Sequence, residues 1–315
     1  MFSFNHSDVR GFTIQGITDI LELQLPLFFF LLLLYLIIIT GNMTIVAAIS
    51  QDRHLYTPMY ILLMNLSIDD ILLTSSVLPS ILHNLVTDSK DMSFAGCITQ
   101  MYTYISFLCT EVLLLAAMAY DRYVAICHPL HYVLLMSQRH CAYFIGATWS
   151  VAFLSLTGYP ILVSKLHFCA SHLLKHIFCD MSPVMKLSCG GLFYIDILIY
   201  TEGPLLGLGP FLFTLISYIY IISTIIKIQS SEGRRKAFST CASHLTCVIL
   251  YYGTVISLHL RPTSSYLPSV DKYFSLINVI LVPMLNPLIY SFKNQEIRNA
   301  LNKIISGNIW DAKDS

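Results

Sequence analysis

Acidic residues stand inside long apolar stretches of this 315-residue chain, at Asp69 and Asp70, at Glu111, and at Asp196 and Glu202. Another, Asp121, is followed at once by Arg122 in the segment MAYDRYVAICHPLHY, residues 118–132. A carboxylate in such surroundings is costly, and it earns its place by holding a cation, carrying a proton or pairing with a base. Tyr104, Leu108, Glu111, Leu115, Met118 and Arg122 recur at steps of three and four, so they share one helical face. Glu111 then stands about 16 Å from Arg122 along that helix, near mid-membrane. Catalysis is not indicated. Neither HExxH nor GxSxG occurs, and the histidines lack metal-ligand spacing, so the chain is read as a non-enzyme with no catalytic residue.

The elements that must position these groups follow from composition. Hydrophobic residues make up 56% of the chain and charged residues only 11%, against about 25% charged in a soluble domain. Net charge is zero, and no basic block is long enough to neutralise a phosphate backbone, which argues against nucleic acid as a partner. Seven apolar runs approach the roughly 20 residues that cross a bilayer as a helix. They cover Pro26–Ile49, Pro58–Leu82, Cys97–Ile126, Cys141–Leu162, Ile195–Ile226, Ala237–Leu260 and Tyr273–Phe292. Their continuity favours helices over barrel strands. The first run is too long and too far from the start for a cleaved signal, so it is read as a retained anchor. The expected fold is an all-α membrane protein, a seven-helix bundle. It divides into an outer tail at 1–25, a spanning domain at 26–292 and an inner tail at 293–315. Ile297, Leu301, Ile304 and Ile305 form an apolar stripe in that tail, as in a short amphipathic helix lying in the interface.

Sidedness comes from the basic residues. Segments read as cytoplasmic carry eleven lysines and arginines, and those read as outer carry seven. The expectation is a multi-pass plasma-membrane protein with its N-terminus extracellular and its C-terminus cytoplasmic. Asn5-His6-Ser7 is a glycosylation sequon that suits an outer tail. Cys97, Cys169, Cys179 and Cys189 fall on the outer side, where thiols oxidise. Their spacing leaves all three pairings open.

The motifs narrow the class further. GN at 41–42, LYTPMYILLMNLSIDD at 55–70, MAYDRYVAICHPLHY, SY at 217–218, KAFSTCASHL at 236–245 and PMLNPLIYSFKN at 283–294 stand in a fixed order along the chain. In that order and spacing the sequence resembles the odorant receptors, within the rhodopsin-like G-protein-coupled receptors. Tyr56 departs from the histidine more usual there.

The resemblance implies a small-molecule odorant and a heterotrimeric G protein of the stimulatory, olfactory type as partners, with cyclic AMP as output and membrane lipid around the bundle. It implies that Asp121, Arg122 and Tyr123 form a latch, with Tyr218 and Tyr290 rearranging around the arginine. Asn286 and Pro287 mark a pliable turn, since proline removes a backbone hydrogen bond. Lys236 and His244 match the sixth-helix signature that faces the G protein. Asp70, Glu111 and Asn286 resemble a polar cluster that can hold sodium as an allosteric ion, whose oxygens suit a hard cation; no other cofactor is expected. The ligand positions carried over are Tyr104, Ile105, Leu108, Cys109, Glu202, Leu206, Tyr252, Val255, His259 and Val279. Glu202 and His259, the polar exceptions, would orient a ligand or pair with each other. The implied disulfides are Cys97–Cys179 and Cys169–Cys189.

A receptor for a non-odorant metabolite is the second reading, and a transporter a distant third, since no related halves are visible. An opsin is argued against because residues 273–292 hold no lysine, and an aminergic receptor because Tyr104 stands where an aspartate is usual.

Overall fold

The computed structural model describes residues 11–18, 20–87, 89–168, 172–259, 268–293 and 295–305. Seven long helices form the bundle: α1 (Leu21–Gln51), α2 (Pro58–Thr87), α3 (Phe94–Cys127), α4 (Gln138–Val163), α5 (Phe193–Ile226), α6 (Ser231–His259) and α7 (Pro268–Lys293). Among the described residues, each of these except α6 contains a window apolar enough to cross a membrane. The 29 residues of α6 are ample in length, but its apolar residues are interrupted by Ser239, Thr240, Ser243, His244 and Thr246. An eighth helix, α8 (Gln295–Ile305), follows α7, and its Ile297 and Ala300 are buried against the bundle.

Prolines inside helices release carbonyls that lose their usual donor, and in a bilayer such groups need another partner. The two prolines inside α7 show how the bundle supplies it. Pro287 cannot donate to the Pro283 carbonyl, and Asn42 of α1 does so instead through Nδ2 at 2.9 Å. Pro283 cannot donate to the Val279 carbonyl, and the Thr74 hydroxyl of α2 reaches it at 3.3 Å. Gly41 makes the first of these approaches feasible, because a Cβ there would stand 3.2 Å from Pro287 Cγ. The GN motif is thus one site where α1 meets α7.

A small three-stranded sheet, absent from the expected all-helical reading, closes one end. Strand β1 (Gly11–Ile14) lies antiparallel to β2 (Asp91–Ser93) and parallel to β3 (Leu173–Leu174). Phe12 and Ile14 are buried beneath it, with the Phe12 ring 5.2 Å from Phe168 and 5.8 Å from Phe94. Residues within the expected N-terminal tail therefore pack on the bundle. α5 contains a turn of π-helix at Pro204–Leu208, where the Gly209 N–H donates to the Pro204 carbonyl. Such bulges rotate the side chains that precede them relative to those that follow.

Candidate functional site

Two groups of polar residues, one at the centre of the bundle and one towards an end, are joined by a third, largely apolar set of positions. At the centre, Asp69, Asp70 and Glu111 are all fully or almost fully buried. Asn286 of α7 donates from Nδ2 to both oxygens of Asp70, at 3.0 and 3.3 Å. Both oxygens of Asp69 and Oε1 of Glu111 have no hydrogen-bond partner. The third helix exposes little of the face read from its sequence, since Tyr104, Glu111, Leu115 and Met118 are buried. Among the described residues no three His, Cys, Asp or Glu side chains converge as a metal centre would require. The central acids offer only oxygen donors, which fits a hard monovalent ion or shared protons better than a transition metal.

At the second site, Asp121 and Arg122 form a close ion pair, with Nε to Oδ2 at 3.6 Å. That is beyond hydrogen-bond length, and the hydrogen bond to Asp121 comes from elsewhere: Tyr132 donates its hydroxyl to Oδ1 at 2.8 Å. Tyr132 opens the short helix Tyr132–Leu135 after α3. Burial first and the neighbouring Asp121 carboxylate second hold its phenol well above the ordinary pKa, so it remains a donor at any physiological pH. Tyr123 and His128 Nε2 share a further hydrogen bond at 3.0 Å. The whole MAYDRYVAICHPLHY segment therefore closes on itself, the latter half holding the former. Facing it, Tyr218 of α5 and His244 Nδ1 of α6 share a 2.6 Å hydrogen bond with stacked rings. Tyr290 of α7 is buried in the adjoining apolar cluster with Cys247. Asp121, Arg122, Tyr123, Tyr218, His244 and Tyr290 thus gather at one end of the bundle. The Lys236 side chain lies outside the described residues.

The third group, the expected ligand positions, is distributed. Tyr104 and Val279 are buried in one apolar cluster with Ile177 and Phe178, and Ile105 and Leu108 pack on its edge. The Tyr104 and Phe178 rings meet edge to face at 4.9 Å. Cys109 belongs to a second cluster, where Ile105 and Leu206 also pack. Tyr252 belongs to a third, its ring 4.8 Å from Phe211. Its neighbour Tyr251 donates its hydroxyl to the Leu108 carbonyl at 3.1 Å, tying α6 to α3. Glu202 lies near Tyr159 of α4, and its Oε2 has no hydrogen-bond partner. The side chains of Val255 and His259 lie outside the described residues, as does Asn5.

Cys97 and Cys179 are joined by a disulfide, which fastens the segment after α4 to α3. Gln100 reinforces it, accepting from the Cys179 N–H at 3.0 Å and donating to the Ser76 carbonyl at 3.0 Å. Cys189 is also disulfide-bonded; its expected partner, Cys169, lies outside the described residues. Sequence reasoning missed Tyr132, although it stands inside the quoted motif, and it missed Gln100, Asn42 and Thr74. The first could have been found as the one hydroxyl-bearing aromatic at the motif's end. The others depend on which helices touch.

The sequence model of the family described as "Olfactory receptor" matches residues 31–308. The chain is 40% identical to Olfactory receptor 1C1 of Homo sapiens over 301 residues, 96% of each chain. It is 42% identical to Olfactory receptor 1G1 of Gorilla gorilla gorilla over 301 residues, again 96% of each. To Olfactory receptor-like protein COR4 of Gallus gallus it is 41% identical over 310 residues, 98% of this chain and 99% of that one. Matched by the family model over residues 31–308 and by these relatives across nearly its whole length, this multi-pass helical bundle belongs to the olfactory receptor family, whose members are G-protein-coupled receptors and not enzymes.

Proposed function

We propose that this receptor binds a small volatile organic ligand at the disulfide end of the bundle and activates a stimulatory, olfactory-type G protein at the Arg122 end, raising cyclic AMP. The observation that carries the reading is the pair of latches at the Arg122 end, Asp121 held by Tyr132 and Tyr218 held by His244. Both can break without disturbing the helices that bear them. In this reading the Arg122 end is cytoplasmic and the disulfide end extracellular, which suits the oxidised cysteines. Tyr104, Ile105, Leu108, Cys109, Glu202, Leu206, Tyr252, Val255, His259 and Val279 form the ligand site. Its chemistry would be dispersion against apolar and aromatic walls, with one or two hydrogen bonds for orientation.

Cells expressing the full chain and challenged with a volatile panel should raise cyclic AMP for some members. Tyr252→Phe should change activation more than surface expression; equal losses of both would assign Tyr252 to folding. A panel that never raises cyclic AMP at good surface expression would refute coupling of this type.

We further propose that sodium binds at Asp70, Glu111 and Asn286 in the resting state. Its support is the burial of these oxygens without a compensating base, since an ion held in one state alone shifts the population of that state. Activation curves insensitive to sodium concentration and to Glu111→Gln would instead leave the acids protonated.

A further inference from the structure

Between α5 and α6, at the Arg122 end, lies a cavity of about 790 Å³ that none of the roles above uses. Ile222, Ile226 and Phe238 form its wall, and Ser231, Arg234 and Arg235 stand at its mouth. The wall residues are 41%, 67% and 55% exposed. They lie at the ends of membrane-spanning helices, so their apolar surface continues that of the outward-facing side of α5. Arg234 and Arg235 are exposed, and among the described residues neither enters an ion pair.

Their position makes this unpaired charge informative. Both arginines lie in the opening turns of α6, where the helix end carries partial positive charge and cations are disfavoured. Glu232 offers one compensating charge in that turn, but it does not line the cavity. Among the described residues the mouth is lined by Ser231, Arg234 and Arg235 with no carboxylate, and the wall is apolar. One molecule that satisfies both is abundant at that depth.

We propose that this cavity binds an anionic phospholipid of the adjacent leaflet, cytoplasmic in the orientation given above. The guanidinium groups of Arg234 and Arg235 and the Ser231 hydroxyl hold its phosphate headgroup, and an acyl chain lies along Ile222, Ile226 and Phe238. Guanidinium forks match phosphate oxygens in geometry as well as charge. A soluble phosphate would leave the wall unused, and a bilayer lipid meets the mouth without leaving its leaflet. Such a lipid bridges α5 and α6. A bound lipid would resist separation of the two helices, and its binding is measurable without any signal.

The test uses the full-length receptor in phosphatidylcholine nanodiscs, titrated with fluorescent phosphatidylinositol bisphosphate. The double substitution Arg234→Gln, Arg235→Gln should weaken lipid binding by about thirtyfold. The double arginine-to-lysine variant, which keeps the charge, should lose only part of it, and Arg298→Gln on α8 should match the native chain. Ile226→Ser with Phe238→Ser should also weaken binding, and soluble inositol trisphosphate should compete poorly. Unchanged affinity in the glutamine variant would overturn the proposal. So would competition by the soluble headgroup as strong as by the lipid, which would mark a free phosphate site. Loss of G-protein coupling with lipid affinity intact would reassign the arginines to protein contact.

Discussion

At the disulfide end the chain is tied by bonds that do not exchange readily: Cys97 to Cys179, three strands in register, and Gln100 bonded at once to two backbones. At the Arg122 end several ties join side chain to side chain: Tyr132 to Asp121, Tyr218 to His244, Tyr60 to Glu296 at 2.7 Å and Lys303 to Asp52 at 3.0 Å. A single such hydrogen bond contributes about 1 kcal/mol net, within reach of what ligand binding can redistribute. Under the proposed function, the contrast places rigidity where a ligand is sorted and exchangeability where a signal is passed.

The sharpest way to break this contrast is Cys97→Ser. Freeing the segment around Cys179 from α3 should cost roughly 2–5 kcal/mol and lower both surface expression and the thermal midpoint. A variant with native expression and midpoint would show that the strands and Gln100 hold that end unaided. Next in size is Asn42→Ala, which leaves the Pro283 carbonyl without its donor inside the membrane. About 1–3 kcal/mol of stability should be lost, with Thr74→Val costing less because its bond to Val279 is longer. Equal thermal midpoints for the two variants would remove the proline-carbonyl account.

Much of this architecture was legible in the sequence, and the reasons it stopped being legible are physical. Helix positions follow from apolar length, so each expected span overlaps an observed helix, with ends shifted by a few residues. α1 begins at Leu21 and not Pro26 because Pro26 sits comfortably in the opening turns of a helix. The pairing of Asp121 with Arg122 was legible because the two are adjacent in sequence, whereas the hydroxyl donor to Asp121, Tyr132, was not. The strand at Gly11–Ile14 was not visible: four residues give too short an alternation, and its partners lie in distant segments. Asn42 and Thr74 were equally hidden, since nothing local tells which proline's orphan carbonyl each will meet. The nearness of Glu202 to Tyr159 of the neighbouring α4 was equally hidden, for the same reason.

A smaller effect tests the exchangeable end directly. Tyr132→Phe removes the hydrogen bond to Asp121 Oδ1 while leaving the ring in place. Basal cyclic AMP, normalised to surface receptor, should rise about fivefold for a lost bond of about 1 kcal/mol. Asp121→Asn, which also weakens the ion pair to Arg122, should rise further. Basal signalling unchanged in both at equal expression would mean that Asp121 does not hold the resting state.

The weakest expected effect concerns α8, whose Lys303 reaches back to Asp52 at the end of α1. Partial burial acts to raise the Asp52 pKa and is the largest single influence, but the Lys303 hydrogen bond and the His54 backbone N–H together outweigh it and hold the carboxyl below its ordinary value. A carboxyl depressed in the folded state stabilises that state above the ordinary carboxylate pKa, and the contribution fades as pH falls through the native value. Lys303 is 55% exposed, so the pair should contribute at most about 1 kcal/mol. Lys303→Ala should therefore lower the thermal midpoint slightly at neutral pH. The gap between variant and native chain should then close in acid, once Asp52 is protonated in both. A gap that persists at low pH would mean that Lys303 acts through its methylene stem packed on the bundle, and α8 would then be fastened by packing at an end otherwise held by exchangeable polar bonds.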